Sequence, residues 1–558
     1  MSKRLADDEL EPTSPRSNTP LTPKRARFDS VEDEEDSRPA APLAVEGGEE
    51  GEVDEDEDDA SAMDIKDSTQ SGPTDGFSDL YLDTIDSYTK LANLLAHSAS
   101  TLVERFANVP LRKLLDFDFE KLCSVSLSNI NVYACLVCGK YFQGRGRSSY
   151  AYTHSLDQDH HVFINMSSLK VYVLPESYEV KNKTLEDIKY VVNPTFSKED
   201  VKMLDREVRD RKDLGRKRYI PGFVGLNNIK ANDYLNVVAH ALAHVVPLRN
   251  YMMLEDLKFK PELAQRFSTL IRKIWNPHAF KSHVSPHELL QEISLRSSKK
   301  FTLLSQSDPV DFLHWFLNHL HLSLGGSKTR AGSSIIHAVF QGRLKMESQA
   351  ITAKADASDR LRFEEAADIT TTVSRFLMLT LDLPPKPIFK DELDKNIIPQ
   401  VPLTTILAKY DGLHPQELLG QRRRYRLLHP LPPYLMFHIK RFATNKFVEE
   451  RNPTIVTFSP RALDMGPYVE PDAKHHKGGE PILYDLVANI THETVAAKEG
   501  ELKSVFKVQL LEKARGQWLQ IQDLFVEEVA RELLFTSESY VQIWERRKIQ
   551  GGKGKERA

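Results

Sequence analysis

The spacing of apolar positions changes several times along the chain, and each change predicts a different element. From Leu82 to Phe106 apolar residues recur at helical spacing (Ile85, Leu91, Leu94, Leu95, Leu102, Phe106), with Asp83 placed to cap the first turn, so a helix is predicted there. Short apolar runs follow, Val162-Phe163-Ile164 and Leu169-Lys170-Val171-Tyr172-Val173, and predict strands. The densely charged stretch Arg206 to Arg218, interrupted by Gly215, reads as a helix running out into a linker. Up to about residue 75 no period is visible. Ser, Pro, Glu and Asp dominate there, and the few large apolar side chains bury too little surface to offset the entropy of ordering, so a disordered tail is expected.

This pattern divides the chain into a disordered acidic and basic tail (1–75), a helical linker (76–112), a small α/β module (113–212), a larger second domain (219–548) and a disordered Gly/Lys tail (549–558). A chain of 558 residues is too long for one core and has room for three or so domains, and 40% hydrophobic content makes a sizeable core available. The formal charge of −5 is small, with much of the acid in the run Glu46 to Asp59. No apolar stretch approaches the ~20 residues of a membrane span, and the N-terminus lacks the apolar core of a secretory signal, so a soluble intracellular protein is expected. The basic cluster Pro23-Lys24-Arg25-Ala26-Arg27 lies beside Ser14-Pro15, Thr19-Pro20 and Thr22-Pro23. It fits a nuclear-import signal near proline-directed phosphorylation sites, and equally an ordinary solvated tail.

The three cysteines, Cys123, Cys135 and Cys138, fall in one short window, which is not the pattern of a secreted disulfide framework. Cys135-x2-Cys138 is followed by His154 after fifteen residues and by His160 after five more. Two thiolates on one turn and two imidazoles give a closed tetrahedral set that suits one structural Zn²⁺, with Cys123 and His161 as reserve ligands. No position is left for a reactive water. No thiol chemistry is available beyond residue 138.

Around these ligands the run Cys135-Leu136-Val137-Cys138-Gly139-Lys140-Tyr141 resembles the UBP-type zinc finger of several deubiquitinases. In that family an arginine after the Cys-Gly pair helps to grip the free C-terminal tail of ubiquitin. Lys140 stands here instead, without the planar fork of a guanidinium. Gly222-Phe223-Val224-Gly225-Leu226-Asn227-Asn228-Ile229 followed by Tyr234-Leu235-Asn236 resembles the cysteine box of ubiquitin-specific proteases. Later blocks follow in the family's order: Ser305-Gln306-Ser307-Asp308, Phe340-Gln341-Gly342, Leu379 to Leu383, Leu431 to Phe442, Tyr484 to Ala488 and Tyr540 to Trp544.

Isopeptide hydrolysis in that family needs a thiolate, an imidazole to activate it, an orienting Asp or Asn, and an oxyanion donor. The resemblance places Asp233 at the nucleophile, Ala231 at the Asn two residues before it, Val505 at the general base, and Gln522 at the orienting residue with Asp523 beside it. Each is degenerate. His492 aligns with the first histidine of the histidine block, not with the base, and reads as a surface or hydrogen-bonding residue.

A UBP-type finger joined to a cysteine-less protease domain resembles the tri-snRNP-associated protein 2 family. The resemblance implies an α+β fold in which a small zinc-finger module precedes a papain-like, palm-thumb-fingers domain that is catalytically inactive. It also implies a nuclear, non-catalytic scaffold of the spliceosome that promotes tri-snRNP assembly or stability in pre-mRNA splicing, with tri-snRNP proteins as partners. The alternative is a reader of ubiquitin or a ubiquitin-like protein that lacks protease activity. Arg216-Lys217-Arg218 and Arg422-Arg423-Arg424-Tyr425-Arg426 are candidates for snRNA phosphate contacts, although such runs are more often solvated loops.

Overall fold

The computed structural model describes residues 110–548 except 208, 356–360, 386–397, 419, 445–448, 473–480 and 497–501. The expected tails, the basic cluster, the acidic run and the helix over 82–106 lie outside the described residues.

The first part is a five-stranded sheet of β1 (Val132–Cys135), β2 (Tyr141–Gln143), β3 (Val162–Asn165), β4 (Val171–Val173) and β5 (Tyr178–Val180), in the order β2-β1-β3-β4-β5. The short helix α1 (Pro110–Leu114) leads into it, α2 (Tyr150–Asp157) lies between β2 and β3, and α3 (Glu186–Val192) and α4 (Lys198–Met203) follow. Side chains alternate across the pleat, which gives the sheet two separate apolar faces. Ala134, Leu136, Ile164 and Val171 pack with Leu115, Phe117, Ile188 and Val192 on one side. Tyr133, Cys135, Phe163 and Tyr172 pack with Phe142 and Ala151 on the other. The two predicted strands are β3 and β4.

The charged stretch 206–218 is not a helix ending in a linker. Arg211–Lys212 and Arg218–Tyr219 pair as a small antiparallel hairpin. Its turn is tied by Asp213, whose side chain accepts from the amides of Lys217 (2.8 Å) and Ser282 (3.1 Å), while the amide of Leu214 donates to the Phe280 carbonyl. A local carboxylate-to-amide bond competes with helix formation, which is why charge density alone misled. The helix ends earlier, in α4, which opens with a capping box between Ser197 and Asp200.

The larger part begins with helices α5 (Asp233–Ala243), α6 (Val246–Leu254), α7 (Glu262–Ile274), α8 (His287–Arg296), α9 (Pro309–Ser323) and α10 (Ile335–Phe340). Every residue of α5 is buried, so it forms the central rod around which the others and one face of the main sheet assemble. Two sheets follow. A four-stranded sheet contains β6 (Gly342–Ala355), β7 (Leu361–Phe376), β9 (Gln416–Leu418) and β10 (Gln421–Leu428), in the order β7-β6-β10-β9. The main sheet has the order β8-β11-β16-β12-β13-β14-β15, built from β8 (Leu379–Asp382), β11 (Tyr434–Lys440), β12 (Leu483–Ala496), β13 (Leu502–Glu512), β14 (Gln517–Gln522), β15 (Phe525–Val529) and β16 (Glu538–Arg546). The closing blocks anticipated at 484–488 and 540–544 pair directly as β12 and β16.

The segment Asp116–Lys121 straps the first part to the helices. Lys273 of α7 is buried, and its ammonium donates to the Phe117 carbonyl (2.7 Å) and to Asp118 Oδ1 (2.9 Å). The other Asp118 oxygen accepts from the Ser285 amide (3.1 Å), and Asp116 pairs with Lys281. Burial pulls the Lys273 ammonium toward its neutral form, but Asp118, Glu288 and Asp116 outweigh it and hold the pKa above the ordinary value.

Two histidines a turn apart, His240 on α5 and His244 capping its C-terminus, add a pH dependence. Burial pulls His240 down to about 3 and His244 down to about 4, with Arg249 lowering and Asp205 raising the latter. Both rings are neutral in the folded chain, whereas the unfolded chain protonates them near pH ~6.5. Stability from each is therefore complete above that pH and falls as the pH drops toward the folded values. The expected loss is roughly 3 kcal/mol for His244. Denaturant melts between pH 7.5 and 5 should show a steeper loss for the wild type than for His244→Phe; equal slopes would refute this assignment.

Candidate functional site

The metal cluster is assembled by three elements. Cys135 ends β1, and Cys138 lies on the turn that follows, where Gly139 adopts φ +75° and donates its amide to the Cys135 carbonyl (2.9 Å). A Cβ at Gly139 would come within 2.5 Å of the Leu114 carbonyl oxygen, so the turn requires glycine. His154 comes from α2 and is held flat against Phe142, with ring centroids 4.1 Å apart. His160 follows the left-handed Asp159 just after α2. The four ligand atoms all lie within 4.8 Å of one another, with Cys138 Sγ 3.5 Å from His154 Nε2 and the latter 3.1 Å from His160 Nδ1. Tetrahedral zinc with its usual bond lengths spaces its ligands by roughly 3.3–3.8 Å, so the donor set fits the ion. Burial pushes the Cys135 thiol up, so the thiolate needed there is stable only against a cation.

Neither reserve ligand joins the cluster. Cys123 is buried and accepts from the Ser126 amide, while His161 is taken by the Leu174 carbonyl (2.8 Å) and Asp159 (2.8 Å).

The second constellation lies where α5 meets β13. Asp233 is the first residue of α5 and only 4% exposed. Its Oδ2 accepts from Gln306 Nε2 (2.6 Å) and from the Phe506 amide (3.3 Å), and its Oδ1 accepts from the Tyr234 amide (3.0 Å). Gln306 Nε2 also donates to the Ser504 carbonyl (3.0 Å), so one amide bridges the N-terminus of α5 to β13. Burial raises the Asp233 pKa; the Phe506 and Tyr234 amides and Gln306 oppose the shift, and Asp523 adds to it. The loop before α5 is stitched by asparagines: Asn232 Oδ1 accepts from the Ile229 amide (2.7 Å), and Asn232 Nδ2 donates to the Asn227 carbonyl (3.1 Å) and to Asn236 Oδ1 (3.0 Å). Ala231, in the same loop, contributes no polar side chain.

Val505 lies on β13 opposite Glu493, with no imidazole in its place. Gln522 ends β14 in register with Phe525. Its neighbour Asp523 is the residue that reaches the loop, accepting from Asn228 Nδ2 (3.0 Å) and Asn236 Nδ2 (3.1 Å) while its carbonyl takes the Leu226 amide (2.9 Å). Asp523 has φ +50°, and a Cβ at Gly225 would lie 2.7 Å from the Leu524 backbone. This tight turn, more than any residue of the strand, closes the site.

His492 is not on the surface. It is 2% exposed, with its Nε2 3.1 Å from Ser504 Oγ, its Nδ1 3.6 Å from Glu538 Oε2, and its ring against Phe442 and Phe506. The hydrogen-bonding half of the expectation stands, and the surface half fails because Phe442, from the segment that follows β11, covers the ring. The role of Gln306 was missed. The polar block 305–308 was legible, but a bridge across to β13 has no local signature.

A zinc-binding module strapped to a helical rod that packs on a mixed sheet, with the N-terminus of α5 tied to β13, is the architecture of a ubiquitin hydrolase with an N-terminal finger. The sequence profile of "Ubiquitin carboxyl-terminal hydrolase" matches residues 224–544, and that of "Zn-finger in ubiquitin-hydrolases and other protein" matches 123–185. The chain belongs to the ubiquitin carboxyl-terminal hydrolase family, and its finger takes zinc. It is 54% identical over 437 residues to the "Probable mRNA-splicing protein ubp10" of Schizosaccharomyces pombe, covering 78% of this chain and 87% of that one. It is 32% identical to the "Pre-mRNA-splicing factor SAD1" of Saccharomyces cerevisiae, covering 78% and 92%. The crystal structure of an essential yeast splicing factor superposes with a TM-score of 0.64 at 31% identity, covering 80% of this chain and all of the other.

Proposed function

We propose that this chain is a non-catalytic scaffold of the spliceosome, acting in the nucleus through contacts with tri-snRNP proteins to promote tri-snRNP assembly or stability. Zinc held by Cys135, Cys138, His154 and His160 supports the finger and takes no part in chemistry. The splicing role is supported by the relatives named as splicing factors, which match most of the chain.

The observation that carries the non-catalytic reading is Asp233. A carboxylate attacking an amide would form a mixed anhydride, an uphill acyl transfer with no imidazole at Val505 to move the proton. Its Oδ2 is also already engaged by two donors, Gln306 and the Phe506 amide. The side chain holds α5 to β13 at the position that the resemblance gives to the nucleophile.

The wild type should form no adduct with a ubiquitin C-terminal electrophile, and Asp233→Cys alone should not hydrolyse a fluorogenic ubiquitin substrate, since Val505 and Gln522 still supply neither base nor orienter. Turnover by the wild type that Asp233→Ala abolishes would overturn this reading. The scaffold role is tested by affinity purification of the tagged chain from nuclear extract: recovery of spliceosomal snRNAs with their proteins is expected, and recovery of ubiquitin conjugates alone would contradict it.

A further inference from the structure

Strand β7 is the outer edge of the four-stranded sheet and pairs only with β6 among the described residues. Between Gln349↔Ile369 and Gly342↔Phe376 that pairing runs without a break, so this half of β7 is regular, and the register shift lies before it. All eight residues from Asp368 to Arg375 are exposed, including Ile369 at 54% and Val373 at 59%. An exposed edge presents every second N–H and C=O to solvent, and proteins ordinarily blunt such an edge with lysine, proline or a bulge. The stretch Ile369-Thr370-Thr371-Thr372-Val373-Ser374 has none of these. Its β-branched residues hold the strand extended, although neither face is buried. Ile369, Thr371 and Val373 share one face, so a partner strand would find an apolar row along it. A charge flanks each end: Asp368, in the register shift just before the regular pairing, and Arg375, which keeps its exposure while one Nη donates to the Thr329 carbonyl (2.9 Å).

We propose that this edge receives an extended segment of a partner protein as an antiparallel fifth strand along residues 368–375. The segment is uncharged and β-branched at its centre, acidic where it meets Arg375 and basic where it meets Asp368. Main-chain bonds supply the affinity, while the apolar row and the two end charges set register and direction. This inference stands apart from the splicing role and from the absence of catalysis.

The probe is an end-blocked octapeptide, Glu-Thr-Val-Thr-Val-Thr-Ile-Lys, with a control in which its first and last residues are exchanged. Hydrogen exchange is read on the full chain. Alternate amides within 368–375 should slow by about five-fold or more with the first peptide, and less with the control. In an Asp368→Lys, Arg375→Glu variant, checked for unchanged exchange elsewhere, the preference should reverse. No protection at saturating peptide would overturn the proposal, as would equal protection by both peptides in both proteins. So would an edge already protected without peptide under conditions where sedimentation shows a dimer, since a second copy would then hold it.

Discussion

Removal of zinc, by chelation of the full chain or by Cys135→Ser, is expected to unfold the finger while leaving the larger domain folded. Small zinc-binding domains draw about 10–16 kcal/mol from the ion, more than their cores alone supply. Here the reason is visible in the packing. Cys135 is fully buried on the face that also holds Tyr133, Phe142 and Phe163, and His154 is part of that face through its stack on Phe142. Without an ion, two thiols and two imidazoles would confront one another inside the core, and the β1–β2 turn and α2 would lose the ion that joins them. Hydrogen exchange across β1 to β4 should become fast, and metal analysis should give one zinc per chain before treatment. Cys123→Ala should retain both the zinc and the protection, because Cys123 lies outside the cluster. Protection that persists in a chain shown to be free of zinc would remove the structural role of the ion.

The second large effect is expected at the strap. Asp118→Ala removes the carboxylate that bonds the buried Lys273 ammonium, leaving it the Phe117 carbonyl as hydrogen-bond partner and Glu288 and Asp116 as more distant charges, and deletes the acceptor of the Ser285 amide. Breaking a buried pair from one side costs about 3–5 kcal/mol, because the remaining charge is uncompensated. The double change Asp118→Ala with Lys273→Met should recover much of the loss, since an apolar chain of similar length fills the site without a charge. Chemical denaturation of the four proteins in the cycle is the check. Additive losses would mean that the two side chains act independently.

Features defined by a few residues close together were legible from the chain alone. The four clustered Cys and His residues follow one spacing rule, and the absence of cysteine after residue 138 leaves the larger domain without a thiol. The strands at 162–165 and 171–173 were readable because each is a short buried run. What was missed depends on contacts distant in sequence. His492 is buried by Phe442 and Phe506 from neighbouring elements. Asp523 enters the site because a left-handed turn redirects it, while Gln522 stays in the strand ladder. The Gln306 bridge spans 198 residues to Ser504, and the Asp118–Lys273 pair spans 155. The stretch 206–218 failed for a local reason, the Asp213 turn, which composition does not reveal.

The measurement that bears most directly on the account is splicing of a reporter pre-mRNA in nuclear extract of the source organism depleted of this protein, with purified chain added back. Restoration of spliced product by wild-type chain that shows no reaction with the ubiquitin electrophile in the same extract is the predicted result. Depleted extract that splices normally, or that is restored only by a preparation with hydrolase activity, would contradict a non-catalytic role in splicing.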